Sequence, residues 1–178
     1  EQFTRLAPAA AFRGYHSTGL LLPDGRVLAG GGRGDGDETA QVFSPPYLFR
    51  GARPRIEAGP EAIAPGQSFD IVTPDAASIA KVSLVGLSSV THAFNMNQRF
   101  IPLQFTAGAD RLQVVGPASN NIAPASFYML FLVNKDGVPS EARFVRVLYR
   151  DPSAPPEEPP ETVTPPLSLS WPAGSEAE

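Results

Sequence analysis

The chain is 178 residues long and 42% hydrophobic, with a net charge of -4 and an isoelectric point near 5.2. That is enough apolar material for one ordinary domain with a core. The acidic balance and the scattered 14 Lys and Arg exclude the clustered basic surface a nucleic-acid partner needs, and no apolar run reaches the ~20 residues of a membrane span. Zero cysteines exclude disulfides, thiolate zinc sites and thiol nucleophiles, while 20 prolines and 16 glycines with few helix-period patterns predict a turn-rich β protein.

Residues 1–52 read as one or two hairpins. "STGLLL" is a short apolar strand, "PDG" a turn in which Pro23 pre-sets φ and Gly25 takes the position that needs φ > 0, and "RVLAGGG" the returning strand. "GRGDGDETA" is a polar, Gly-rich loop, and "AQVFSPPYLF" a strand ended by Pro-Pro. A hairpin of this size buries too little surface to stand alone, so it is expected to need neighbours. The first residue is Glu1 and no signal-peptide pattern comes after it, so the chain is expected to be processed or excerpted from a longer one.

Residues 53–149 carry seven short β-type runs separated by turn signals: "RPRIEAGP", "SFDIVTP", "KVSLVGL", "FIPLQFTAG", "RLQVVGP", "SFYMLFLVN" and "ARFVRVLY". With "KDG" at 135–137 as a hairpin turn, this spacing predicts an all-β, immunoglobulin-like sandwich. Alternation puts Phe69 and Ile71 inward, and likewise Phe144. "FYMLFLV" is apolar throughout, as a central strand is, and Pro65, Pro74, Pro117 and Pro139 fall between runs. Residues 150–178 are rich in Pro, Glu and Ser and predict a disordered tail or linker, extended by polyproline stretches. Trp171, the only tryptophan, reads as an incidental apolar residue or as the start of a further domain.

Only two histidines occur. His16 succeeds Tyr15 at the start of the first hairpin, and His92 lies in "GLSSVTHAFNMNQRFIPL", on a loop between two strands of the sandwich. Loops on a rigid β scaffold are where functional side chains tend to sit. Two imidazoles and a phenol suit Cu(II), which favours nitrogen and oxygen donors. The bland reading stands beside it: each histidine a hydrogen-bonded structural residue, and Tyr15 and His16 on opposite faces of a strand. Other chemistries have less support. There is no G-x-S-x-G elbow, and "GGGRGDGD" lacks the ending of a phosphate loop. Asp35, Asp37 and Glu38 hint at calcium without the spacing of an EF-hand loop, and "RGD" at 33–35 is a tripeptide common by chance.

Taken together and in order, "YHSTGLLLPDGRVLAGGG", "AQVFSPPYLF", "RPRI", "VTHAFNMNQRFIPL" and "SFYMLFLVNKDGVPS" resemble the C-terminal part of the galactose oxidase and glyoxal oxidase family of copper radical oxidases. "FNMNQR" looks closer to the glyoxal-oxidase-like branch. The resemblance implies that residues 1–52 end a Kelch-type β-propeller, as a partial blade, and that 53–149 are the immunoglobulin-like C-terminal domain. It implies copper held by Tyr15, His16 and His92, with Tyr15 also the catalytic base that takes the alcohol proton. The fourth ligand in the family is a tyrosine cross-linked to a cysteine, which stores the radical. This chain has no cysteine, so that cofactor is expected upstream, in the propeller that would be this domain's partner.

The same resemblance implies a secreted oxidoreductase that oxidises a small primary alcohol, aldehyde or carbohydrate and reduces dioxygen to hydrogen peroxide, inactive as this chain alone. The competing reading is a non-catalytic immunoglobulin-like module for carbohydrate or cell-surface attachment or for domain packing.

Overall fold

The "PDG" turn forms as its residues dictate. Gly25 takes φ +81°, the Gly25 N–H donates to Leu22 O at 2.9 Å, and the Asp24 carboxylate accepts from both the backbone and the guanidinium of Arg26. The computed structural model describes residues 5–32 and 39–150. Around that turn, β1 (Ser17–Leu21), β2 (Val27–Gly31) and β3 (Ala40–Phe43) pair antiparallel in the order β1-β2-β3. Pro45 and Pro46 then stop the strand, and a single 3-10 turn runs over Pro46–Phe49. The acidic loop at 34–38, the RGD at 33–35 and the tail from 151, with Trp171, lie outside the described residues.

The second unit is all-β, with eight strands among the described residues: β4 (Ala62–Ile63), β5 (Ser68–Val72), β6 (Ile79–Gly86), β7 (Phe100–Leu103), β8 (Phe105–Ala107), β9 (Arg111–Val115), β10 (Ser126–Asn134) and β11 (Arg143–Val147). They form two sheets, β4-β11-β10-β6-β7 and β5-β9-β8, whose facing sides enclose one core. Ile71, Leu84, Leu112, Val114, Leu130 and Leu132 are fully buried there. Each such side chain is worth about 1.5–3 kcal/mol of transfer from water, so the sandwich carries the stability of the chain. β10, the uniformly apolar run, is the central strand of five, as its composition predicts. Pro102 sits in β7, an edge strand, where a residue without an N–H is tolerated. The "KDG" hairpin forms, with Gly137 at φ +78°.

Three expectations need correction. "RPRIEAGP" is not a strand. It packs Ile56 on the sandwich, but its backbone pairs as a ladder with it only at one isolated bridge, between Ala58 and Val72, because its prolines withhold ladder donors. "FIPLQFTAG" is two strands, β7 in one sheet and β8 in the other, parted at Gln104, so the chain crosses between sheets there. In β11 the phase is reversed. Val145 and Val147 are buried, whereas Phe144 is 51% exposed, because its partner across the ladder is Met129, on the outer face of β10. With apolar residues in both phases, alternation alone could not choose between them.

That outer face is where the first unit sits. The Arg53 guanidinium donates to Asp24 O at 2.8 Å, Pro139 O at 3.0 Å and Ser140 O at 2.7 Å, and the Ala142 N–H donates to Pro23 O at 2.8 Å. The Tyr47 hydroxyl donates to Gly25 O. Between the two units lies a cavity of about 270 Å³, lined by Leu21, Gly25 and Tyr47 on one side and by Val85, Phe100, Phe131 and Val133 on the other.

Candidate metal centre

Tyr15 and His16 are not in a strand. They are the two central residues of a turn in which the Ser17 N–H donates to Gly14 O at 3.1 Å. His16 has φ +65°, and it is the one non-glycine residue with positive φ among the described residues. A positive φ at the third position of such a turn is ordinarily given to Gly or Asn. A β-carbon there is strained by about 1–2 kcal/mol. The bland alternative, with Tyr15 and His16 on opposite faces of a strand, therefore does not hold. The left-handed residue brings both rings to one side, with centroids 3.9 Å apart and edge-on.

One side chain and one glycine hold this turn in place. Arg13, two residues before Tyr15, donates to Gly31 O at 3.2 Å, to Thr39 O at 2.9 Å and to the Thr39 hydroxyl at 3.0 Å, tying the approach to the ends of β2 and β3. Gly32 allows the close approach: a β-carbon on it would meet Gly14 N at 2.9 Å.

His92 reaches the same place from the sandwich. It lies on the loop 87–99 that joins β6 to β7 and folds back along β1. The Phe94 carbonyl accepts from the Gly19 N–H at 3.3 Å and from the Thr18 hydroxyl at 3.1 Å, and His16 Nδ1 lies 3.3 Å from Thr91 O. The His16 and His92 ring centroids are 5.0 Å apart with planes tilted by 55°. The structure thus brings together all three residues singled out in the sequence.

The donor set fits a metal with a taste for nitrogen and oxygen. Two imidazoles bound to one metal through nitrogens at about 2.0 Å keep their centroids within ~6 Å of each other, and 5.0 Å lies inside that limit. A carbonyl oxygen only accepts, so the Thr91 contact assigns the proton of His16 to Nδ1 and leaves the lone pair of Nε2 for a ligand bond. Tyr15 is 59% exposed and both histidines are exposed, so the three side chains open to solvent. No group of three or more His, Cys, Asp or Glu assembles among the described residues. A metal here depends on the phenol as well as the imidazoles.

Sequence reasoning missed the residues that shape the loop. Asn95 accepts from the Ser89 and Asn97 N–H groups at 3.3 and 2.9 Å, and the Asn97 side-chain amide donates to Leu87 O at 2.7 Å. The signal was present in "FNMN", where two turn-forming asparagines alternate with two large apolar residues on a loop.

Residues 53–147 match the family described as galactose oxidase-like, early set domain. The chain is 38% identical over 159 residues to a galactose oxidase of Gibberella zeae, a match covering 83% of this chain and 23% of that protein. It is 35% identical over 169 residues to an aldehyde oxidase of Vitis pseudoreticulata, covering 83% and 32%. Its fold is similar to that of a fungal alcohol oxidase solved in complex with copper, with a TM-score of 0.73 at 33% identity, covering 83% of this chain and 34% of that one. The chain therefore spans between about a quarter and a third of the length of these relatives.

Proposed function

The chain belongs to the galactose oxidase-like early set family, and from that premise we propose that it is the C-terminal portion of a copper-dependent oxidase. The whole protein would oxidise a small primary alcohol, aldehyde or carbohydrate. The substrate loses two electrons and two protons, and dioxygen takes up both to become hydrogen peroxide. Tyr15, His16 and His92 are three of the four protein ligands. The observation that carries this reading is the meeting of the two histidines, distant in sequence, at 5.0 Å beside Tyr15. The strain accepted at His16 supports it, since such outliers concentrate at functional sites.

Copper bound there would supply Lewis acidity and a one-electron redox couple. The chain's own residues have separate tasks. The Tyr15 oxygen, exposed beside the imidazoles, is the base that takes the hydroxyl proton of an incoming alcohol. His16 and His92 hold their ring planes at a fixed tilt, one fastened through Thr91 and the other carried by the loop docked on β1. The radical-storing tyrosine–cysteine pair cannot form within this chain, which has no cysteine. It belongs to an upstream propeller, of which β1–β3 are the last strands, and the chain alone does not turn over. The same resemblance carries the proposal that the protein works outside the cell. Among the described residues no helix is long and apolar enough to cross a membrane.

The test is Cu(II) titration of the chain, monitored by electron paramagnetic resonance. Parent protein binds one equivalent. His16→Ala and His92→Ala each weaken binding by at least the ~10–100-fold that loss of an outer-shell partner costs. If both variants bind as the parent does, the copper reading fails and a non-catalytic module for attachment or domain packing takes its place.

A further inference from the structure

We propose that Asn95 is a positioning residue for His92. It fixes the shape of the loop 87–99 so that the imidazole stands over the Tyr15–His16 turn, and this rests on the reading of that cluster as a metal centre. The loop is inverted in polarity. Phe94 and Met96 are 57% and 59% exposed, whereas Asn95 and Asn97 between and after them are half-buried. A segment that turns its amides in and its large apolar side chains out is ordered by hydrogen bonds, not by burial.

Asn95 is the hub of those bonds. Its Oδ1 accepts from the N–H groups of Ser89 at 3.3 Å and Asn97 at 2.9 Å, and its Nδ2 donates to the Ser88 hydroxyl at 3.2 Å. Two backbone donors on one end of the amide fix which end is oxygen. The Asn95 carbonyl also accepts from the Gln98 side chain at 2.9 Å. Asn95 thus ties the limb that leaves β6 to the limb that enters β7, beside the bonds from the Met96 N–H to Ser89 O and from the Asn97 amide to Leu87 O, with His92 between the limbs. The neighbouring Phe94 carbonyl, aimed by the same arrangement, takes the bonds from Thr18 and Gly19 that seat the loop on β1.

The test reads the ring contact directly. In the metal-free chain, nuclear Overhauser contact between the His16 and His92 ring protons is expected in the parent, lost in Asn95→Ala and restored in Asn95→Asp, whose carboxylate accepts the same two N–H groups. Protection of the Leu84 and Leu130 amides in the core stays unchanged in all three, which shows that the variants fold. Cu(II) affinity falls about 10–100-fold in Asn95→Ala. Absence of the ring contact in the parent, its persistence in Asn95→Ala, or its loss in Asn95→Asp as well would each overturn the proposal. A parent that shows the contact but takes up no Cu(II) sinks the metal reading and leaves the role of Asn95 to be decided by the contact alone.

Discussion

His16 holds the third position of its turn at φ +65°, where the polypeptide would ordinarily place glycine. The consequence is a conflict between local stability and the proposed metal site. At an ordinary position, replacing Gly by Ala stabilises by reducing the entropy of the unfolded chain. Here the order should invert: His16→Gly is expected to be more stable than His16→Ala by about 1 kcal/mol, because Ala keeps the β-carbon strain that Gly relieves. Exchange of the Ser17 amide, whose N–H closes the turn, measures the difference. An Ala variant as well protected as the Gly variant would show that the turn is not strained. The residue types of the site were legible in the sequence as one Tyr-His pair and one lone histidine. Their geometry was not, because no neighbouring residue signals that His16 leaves the strand.

At the scale of elements, the 3-10 turn Pro46–Phe49 has a specific task. It delivers the Tyr47 hydroxyl to Gly25 O, at the tip of the first hairpin. Burial of the phenol, with a smaller contribution from Asp24, pushes the Tyr47 pKa above its ordinary value of 10.0, against an opposing pull from Arg53. A group whose folded pKa is raised gives its full stabilisation below the unfolded value and loses it as pH rises through the folded one. The contact is therefore intact at neutral pH and weakens above about pH 10. Thermal unfolding against pH should show an alkaline limb that is shallower in Tyr47→Phe. It does not vanish, because burial raises Tyr128 in the same direction. An alkaline limb equally steep in both proteins would refute the assignment. Strands were readable where apolar and polar residues alternate, as in β5, and where turn chemistry is explicit, as at Gly25 and Gly137. The crossing at Gln104 and the two-residue β4 were not, since neither leaves a periodic trace in so few residues.

For the whole molecule, the sandwich is the stable body and β1–β3 are attached to it at few points. Arg53 is the main one, reaching carbonyls on both units with three N–H groups in a planar fork. Lysine has the charge without the fork, so Arg53→Lys is not conservative here. Limited proteolysis should cleave within residues 5–50 before 53–149 in the parent, and several-fold faster in Arg53→Lys with the sandwich surviving. Equal survival of both segments in both proteins would contradict a weakly tethered unit. The sandwich architecture was legible from strand spacing, but the docking of the first unit was not, because apart from side chains like the Arg53 guanidinium and the Thr18 hydroxyl it rests on backbone groups, such as Ala142 N–H to Pro23 O and Gly19 N–H to Phe94 O, that carry no sequence signal. The larger sheet has one further property. Its two margins are a two-residue strand, β4, and a strand interrupted by Pro102. Neither offers an uninterrupted row of donors and acceptors to an incoming chain, so the sheet is blunted against growth into fibrils or strand-swapped dimers.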